Sequence, residues 1–496
     1  MKKYDVLILG SSFSGATLGW ILASQGMRVC MLDRYAHPRF SIGESSTPVA
    51  DIVIAQLAKR YELPRLAALS TYGRWKQELP HLVCGKKRGF SYFRHGRDAP
   101  YGHASSKNSL LVAASACDAE SDTHWLRSDV DAYLFERSCE AGVHAIENCH
   151  VNQIVREKNW WRVSWRRNNM DQVQSTCVRV IIDATGHGGL MGKTLGLLRL
   201  DTTLSTTTSA LYGHFLGVQS WDAQQLALGD SSTIHPFRSD DAAQHHIIDD
   251  GWVWLLRFDD GRTSVGLMEN RLLTIDHDLD EYWKHRIRAY PSLWSLFEKC
   301  PTIPSLHKTG PLQRLWSASS GLGWAMLPTT TGFIDPLHST GIAHSMHGVT
   351  RLASLLLRDK DTTTAWEQYG HHVIDEFRFM DQLVSTAYAS INHFELFSAA
   401  ASLYFLATIH FEKMLLSDTD CEETQFLAAD NITLRERLTE SCTLIQSAVQ
   451  GQIKTPHCLS QIRHTLSDFD SVGFFAPSQK NRFAHTAPRK LFSVKS

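Results

Sequence analysis

The first thirty or so residues leave the chain few ways to fold. Tyr4 to Leu9 is a nearly continuous apolar run, the pattern of a strand buried on both faces. Gly10-Ser11-Ser12-Phe13-Ser14-Gly15 follows, Ala16 to Ser24 predicts a helix closed by Gly26, and Met27 to Leu32 predicts a second strand ending at Asp33. A strand, glycine turn, helix and strand in this order form a βαβ unit. Its turn lets backbone approach a pyrophosphate at the helix N-terminus, and its acidic residue is spaced to reach a ribose hydroxyl. Gly10, Ser12, Phe13, Ser14, Gly15, Asp33 and the neighbouring Arg34 are therefore candidate cofactor residues. Ser12 stands where the pattern has its second glycine, and its small side chain still permits close approach.

No second fingerprint is visible, which argues against a separate NAD(P)H domain. Val178 to Ile182 predicts a strand running into Asp183-Ala184-Thr185-Gly186. Two-dinucleotide-binding flavoproteins return the chain to FAD in this way, so Asp183 and Gly186 join the candidates and FAD is favoured over NAD. Taken alone, the same residues are an ordinary strand-to-turn ending. The loop Arg39 to Pro48 is rich in Gly, Pro and small hydroxyls, so Glu44, Ser45 and Ser46 could offer donors to a flavin ring, or the loop is a solvated turn. Arg127 opens a helix that runs through Cys139, and it is either a flavin contact or a surface arginine.

Three further stretches suggest chemistry. Lys86-Lys87-Arg88 leads into the aromatic strand Phe90 to Phe93; such runs are usually solvated, but a lysine turned into an apolar cavity is placed for proton donation or for reaction with an electrophile. Gly251 to Phe258 and Thr263 to Leu267, joined by Asp-Asp-Gly-Arg, predict a hairpin. Trp252 and Trp254 share one face of it, as sheet core or as the wall of a cavity. Finally, Gly332 to Gly341 follows a short apolar strand, Trp324 to Leu327, and precedes an amphipathic pattern from Ile342. That order predicts strand, tight turn and helix start, with the free donors of Thr340 and Gly341 converging on an anion.

A length of 496 residues exceeds a single core. The expected fold is α/β: an FAD-binding, Rossmann-like (two-dinucleotide-binding) domain at 1–350 with an interleaved substrate-binding β-sheet, and a helical subdomain at 351–496 rich in aromatics such as Tyr388, Tyr404 and Phe405. A net charge of −1 gives no support for nucleic-acid or membrane-surface binding. Ten cysteines without a C-x-x-C pair predict reduced thiols in a cytoplasmic protein and no metal site. Asp5 interrupts the order a signal peptide needs, and no stretch reads as long and apolar enough to span a membrane.

Together these residues resemble the flavin-dependent halogenases of the single-component flavoprotein monooxygenase fold, most closely the phenol (phloroglucinol-type) branch. Phe333-x-x-Pro336-x-x-Ser339-x-Gly341 matches the family's F-x-x-P-x-x-S-x-G signature at every fixed position. Trp252-x-Trp254 matches the first half of W-x-W-x-I-P, with Leu256 and Arg257 replacing the Ile and Pro. The likeness continues through Asp381 to Ser385 and Asn481 to Phe483.

The resemblance implies that reduced FAD, supplied by a separate flavin reductase, works with O2 and chloride or bromide to make hypohalous acid. Thr340 and Gly341 would hold the halide, and Asp335 would contact the cofactor. Trp252, Trp254, Phe90, Pro336 and Ser339 would line the tunnel, and Lys87 would hand the halogen to a small electron-rich aromatic. Tryptophan halogenases carry Glu where this chain has His338, which serves as a base or a spacer; the change favours a free phenol over tryptophan. A flavin monooxygenase or oxidoreductase without halide use is the competing expectation, and a non-catalytic flavin-binding scaffold is a third. The oligomeric state is left open, a homo-oligomer being one option.

Overall fold

Lys2–Leu9 begins exposed and ends wholly buried, because its last four residues enter the middle of a parallel sheet. Val6 pairs with Val29 of Val29–Leu32 on one side and with Val180 of Gln174–Asp183 on the other. The computed structural model describes residues 2–487 except 103–106, 169, 230–234, 275–277, 301–305, 359–362, 418–423, 477 and 479, so 488–496 of the expected helical region lie outside it. The sheet runs in the order Ser320–Gly321, Trp324–Met326, Gln174–Asp183, Lys2–Leu9, Val29–Leu32, His144–Ile146. Leu9, Leu32 and Asp183 end together at one edge, where open α/β sheets bind ligands. The helix between the first two strands is Phe13–Ser24, three residues longer at its start than the sequence pattern predicts.

A second sheet orders His307–Lys308, Ser209–Leu216, Arg262–Glu269, Gly251–Arg257, Ala243–Ile248, Gly89–Arg94, Ser109–Ala113 and Arg482–Phe483. Its central strands are buried on both faces. One face packs Leu211, Val253, Leu255 and Leu267 against Trp283, Tyr290 and Phe297 in a core of its own. The alternate residues Tyr212, His245, Trp252, Trp254 and Met268 turn the other way, toward the first sheet's ligand edge. Trp254 can lie flat there because the residue paired with it is Gly266, where a Cβ would come within 2.1 Å of the indole. The predicted hairpin is present, with Gly261 in its turn at φ +88°. Ala243–Ile248 escaped the sequence reading because its middle, Gln244-His245-His246, is polar though fully buried.

The stretch before the anion turn is more elaborate than strand, turn and helix. After Trp324–Met326 come a single helical turn, Pro328–Thr331, and a two-residue strand, Gly332–Phe333, paired with Arg314–Leu315. Ser339 then adopts a left-handed conformation, φ +56°, and the helix Thr340–Leu357 begins. That helix runs across the expected boundary at residue 350, and a single core cluster extends from Val6 to Phe483. Along it, two turns apart, His344 and Arg351 both bond the buried Glu376 of the helix Thr363–Ala389. Burial pushes the Glu376 carboxyl up, but Arg351 and then His344 outweigh it and hold the group well below its ordinary range.

One expectation about membranes needs correcting. Among the described residues the helix Phe394–Leu416 is long and apolar enough to cross a bilayer. Its most apolar window is 83% buried inside the protein, packed on Pro48–Arg60, Thr363–Ala389 and Ile432–Val449, so it reads as a core helix.

Asp335, expected to contact the cofactor, is instead a structural knot. Its carboxylate accepts hydrogen bonds from the Thr208 hydroxyl (2.7 Å), the Tyr388 hydroxyl (3.0 Å) and the Leu337 N–H (2.9 Å), and Tyr388 in turn accepts from the Trp252 indole (2.8 Å). The turn, the second sheet and the Thr363–Ala389 helix are joined there. Burial raises the carboxyl to about 7 in spite of these donors. A folded value above the unfolded one means the folded state holds the proton more tightly. The associated stability is present in full below about pH 4 and is lost as pH rises through about 7. Urea unfolding at pH 5 and pH 8 should therefore show wild type losing stability relative to Asp335→Asn at the higher pH; a difference between the two proteins that does not change with pH contradicts this assignment.

Candidate functional site

The edge where the parallel strands end and the tryptophan face of the second sheet enclose a cavity of about 880 Å3, toward the upper end of the size range of cofactor sites. Two helix N-termini open into it. Ser12, Phe13 and Ser14 line it at the start of Phe13–Ser24, and Ser339, Thr340, Gly341 and Ile342 line it at the start of Thr340–Leu357. Neither helix has an acidic residue in its first turn or a side chain capping its first N–H groups, so both ends present donors to the cavity.

The glycine turn is crowded as a dinucleotide site requires. Gly10 lies at φ +97°, and a Cβ there would sit 2.5 Å from the Ala184 carbonyl. A Cβ at Gly15 would sit 2.2 Å from the Gly10 carbonyl, so Gly15 seats the helix against the turn without lining the cavity. Ser12 also has its own function. Its hydroxyl donates to Asp131 (2.7 Å) and accepts from Arg127 (2.6 Å), while Arg127 also bonds Asp131 and the carbonyls of Ile42 and Gly43. Arg127, stacked 4.6 Å from the Phe13 ring centroid, thus fastens the Ile42–Gly43 loop to the fingerprint helix, and it lines the cavity.

Asp33 and Arg34 line the cavity too. Asp33 accepts from Ser11 N–H and Oγ (both 2.7 Å), Tyr35 N–H (2.9 Å) and Arg39 (2.7 Å). Burial raises its carboxyl, but Arg39 and these donors more than offset that and keep it below its usual value. Glu44, Ser45 and Gly186 complete the wall. Glu44 pairs with His214 (2.9 Å) through one oxygen, while its other oxygen and the Ser45 hydroxyl are buried without a partner. Orphaned polar atoms on a cavity wall, beside a glycine turn with no room for a side chain, fit a bound dinucleotide such as FAD.

Asp183 is not part of this wall. It is fully buried and accepts from Thr185 N–H and Oγ and from Met191 N–H, bracing the turn after its strand, and burial raises its carboxyl. Ser46 is absent from the wall as well: its hydroxyl donates to Asp51 and its N–H to the Thr123 carbonyl.

A second, small cavity of about 30 Å3 lies beyond, lined by Thr47, Phe90, His338, Tyr404 and Phe405 among others. The two cavities share one lining residue, Thr340, whose hydroxyl bonds Tyr404 (2.7 Å). On the other side of the partition Ser45 faces the large cavity and Thr47 the small one. The carbonyl of Ser46, between them, accepts a hydrogen bond from Lys87 Nζ.

Strand alternation explains the lysine. Along Cys84–Lys87 and into Arg88, Lys86 and Arg88 face out and both pair with Asp118, while Lys87 turns inward to zero exposure. Its amine lies 4.0 Å from the centroid of Phe90, though Lys87 itself lines neither cavity.

Trp252 and Trp254 both line the large cavity, as does Pro336. Arg257, the departure from the tryptophan signature, reaches away to Asp240 and the carbonyls of Val218 and Gln219 and leaves the indole wall undisturbed. Sequence reasoning missed His245, which lines the large cavity and lies 4.4 Å, ring to ring, from Tyr92. Burial and the nearby charge of Lys87 press its imidazole down to about 3. Among the described residues no group of three or more His, Cys, Asp or Glu side chains is arranged to hold a metal ion.

Comparison with known proteins agrees with this geometry. Halogenase PltM, in a crystal structure with phloroglucinol and FAD, superposes with a TM-score of 0.86 at 24% identity, covering 98% of this chain and 100% of that one. Tetracycline 7-halogenase of Kitasatospora aureofaciens is 25% identical over 434 residues, 84% of this chain and 75% of that protein. Monodechloroaminopyrrolnitrin halogenase PrnC of Pseudomonas fluorescens is 27% identical over 424 residues, 82% and 72% of the two. Residues 120–395, more than half of the sequence, match the family described as tryptophan halogenase. The chain belongs to the tryptophan halogenase family.

Proposed function

We propose that this protein is an FADH2-dependent halogenase that uses O2 and chloride or bromide to halogenate a free phenolic or similarly electron-rich aromatic, with reduced flavin delivered by a separate reductase. The observation that carries this reading is the partition. Lys87 is wholly buried behind a wall with a dinucleotide-sized cavity on one side and a small aromatic-lined cavity on the other. An enzyme that hydroxylated its substrate directly at the flavin would need both in one chamber.

Reduced FAD, when bound, supplies with O2 the two-electron oxidation of the halide. The chain's residues do the rest. Gly10, Ser12, Phe13, Ser14, Asp33, Arg34 and the orphaned atoms of Glu44 and Ser45 bind the cofactor. The N–H groups of Thr340 and Gly341 hold the halide at the positive end of their helix. Hypohalous acid, small and neutral at its first step, crosses at Thr340, and Lys87 polarises it by hydrogen bonding or carries the halogen on its amine. The tryptophan wall and the Thr340–Tyr404 bond keep the aromatic substrate from the flavin. The curated relatives whose names specify tetracycline and aminopyrrolnitrin substrates, and the phloroglucinol complex, support an aromatic substrate.

Two measurements test the assignment. Lys87→Met, which keeps the volume and removes the amine, should cut bromide-dependent product by about a hundredfold or more while FAD binding stays within about twofold. Product made at the wild-type rate removes Lys87 from the mechanism, and product made without halide replaces the halogenase reading with a monooxygenase one. Gly341→Ala should fold normally, since a Cβ there meets nothing within 4 Å. The methyl group would occupy halide space, so at saturating FAD the halide KM should rise by about tenfold, the cost of roughly one lost charge-assisted hydrogen bond. An unchanged halide saturation curve moves the halide elsewhere.

A further inference from the structure

His338, on the wall of the small cavity, carries a buried polar atom that the halogenation scheme leaves unused. His338 is about 1% exposed and lines that cavity with Phe90, Tyr404 and Phe405. Its ring is held on two sides: it stacks on Tyr404 at 4.3 Å and 24°, and its Nδ1 lies 3.2 Å from the Tyr92 hydroxyl. Nε2 is buried and has no hydrogen-bond partner. A buried polar atom with nothing to bond is costly, and native structures keep few of them without a use.

Hydrogen-bond bookkeeping gives the tautomer. A neutral imidazole has one N–H and one acceptor nitrogen. A phenol is the stronger acid and an imidazole nitrogen the stronger base, so Tyr92 O–H donates to Nδ1 and the ring proton sits on Nε2. The reverse arrangement leaves both a Tyr92 donor and an Nε2 acceptor unsatisfied, one orphan more. Burial, and next the neighbouring His245, push the imidazole well below its ordinary value, so it stays neutral and Nε2 remains a donor across the working pH range.

Resting on the halogenase reading above, we propose that His338 Nε2–H is the substrate-recognition donor, and that it selects aromatics carrying an oxygen acceptor, binding phenols preferentially as phenolates. A fixed donor with no acceptor capacity pairs best with an oxyanion, because a charge-assisted hydrogen bond is about twice as strong as a neutral one. The substrate thereby loses its hydroxyl proton to solvent on binding and enters the cavity already activated toward an electrophile. His338 is then neither base nor spacer. The side chains that share its surroundings are the amine of Lys87 behind Phe90, His245 and Tyr92 in the second sheet, and Tyr404 and Glu412 from the Phe394–Leu416 helix.

The test uses full-length protein saturated with oxidised FAD, without halide or reductant, and para-fluorophenol as the probe. Fluorine NMR across a pH series reads the ionisation of the bound phenol. With wild type the midpoint should fall about one pH unit below that of free phenol, a tenfold preference for the anion. His338→Gln, which keeps an N–H donor, should preserve most of that displacement. His338→Leu should return the midpoint to the free value or above, with unchanged FAD affinity and thermal unfolding confirming that it folds. The same midpoint in all three proteins, or no binding of the phenol by wild type, overturns the proposal. Bromide-dependent product is measured separately: product with unchanged midpoints leaves the halogenase reading standing and removes His338, and the expected midpoints without bromination do the reverse.

Discussion

An amine that water does not reach bonds the carbonyl of Ser46, and the division of the interior into two chambers is built around that contact. Everything near it serves to hold it in register. The strand Cys84–Lys87 is fixed by pairing with Asp122–Trp125, Lys87 opposite Asp122, and by Lys86 and Arg88 gripping Asp118 outside. The loop that offers the carbonyl is tied from three directions: Arg127 holds Ile42 and Gly43, His214 holds Glu44, and Asp51 holds the Ser46 hydroxyl. A charged side chain is tolerated in such a place only when its partners are supplied in advance. The outer ion pairs, being partly exposed, contribute orientation more than energy.

The opposite wall depends on the helix Thr340–Leu357. Its N-terminus carries no side-chain cap and no acidic residue in its first turn, which costs stability at that end. The compensation lies along the same helix, from its second turn to its middle, where Glu376 gathers His344, Arg351 and the Phe426 N–H in a fully buried cluster. Breaking one member of such a cluster leaves a buried charge without its counterpart, so the helix is pinned against sliding along its axis. Ser339, held at positive φ without being glycine, is a strained residue at the site itself.

Features that act over a few neighbouring residues were legible in the sequence: the glycine fingerprint, the hairpin with its Gly261 turn, and the helix start after Ser339. Lys87 is reached only through the family resemblance, because a run of three basic residues reads by itself as solvated; its inward turn follows from the pairing of Cys84–Lys87 with Asp122–Trp125. What escaped was set by partners far along the chain. Asp335 reads as a cofactor residue until Thr208 and Tyr388 arrive from 127 and 53 residues away and both bond its Oδ2. Ser12 reads as a weakened motif until Asp131 and Arg127 show what its hydroxyl holds. His245 sits in a polar triplet whose burial comes from the strands on either side, Gly89–Arg94 and Gly251–Arg257, so no local pattern announces it.

The apolar helix Phe394–Leu416 has a consequence for how the chain is made. On a ribosome it emerges after two of the elements that cover it, Pro48–Arg60 and Thr363–Ala389, but before the third, Ile432–Val449. For that interval a segment with the length and hydropathy of a membrane anchor has one side uncovered in the nascent chain. The segment after Leu416 is thus what closes the last side of this helix, through Ile432–Val449. A chain that stopped short of Ile432 would leave that side of the apolar helix bare.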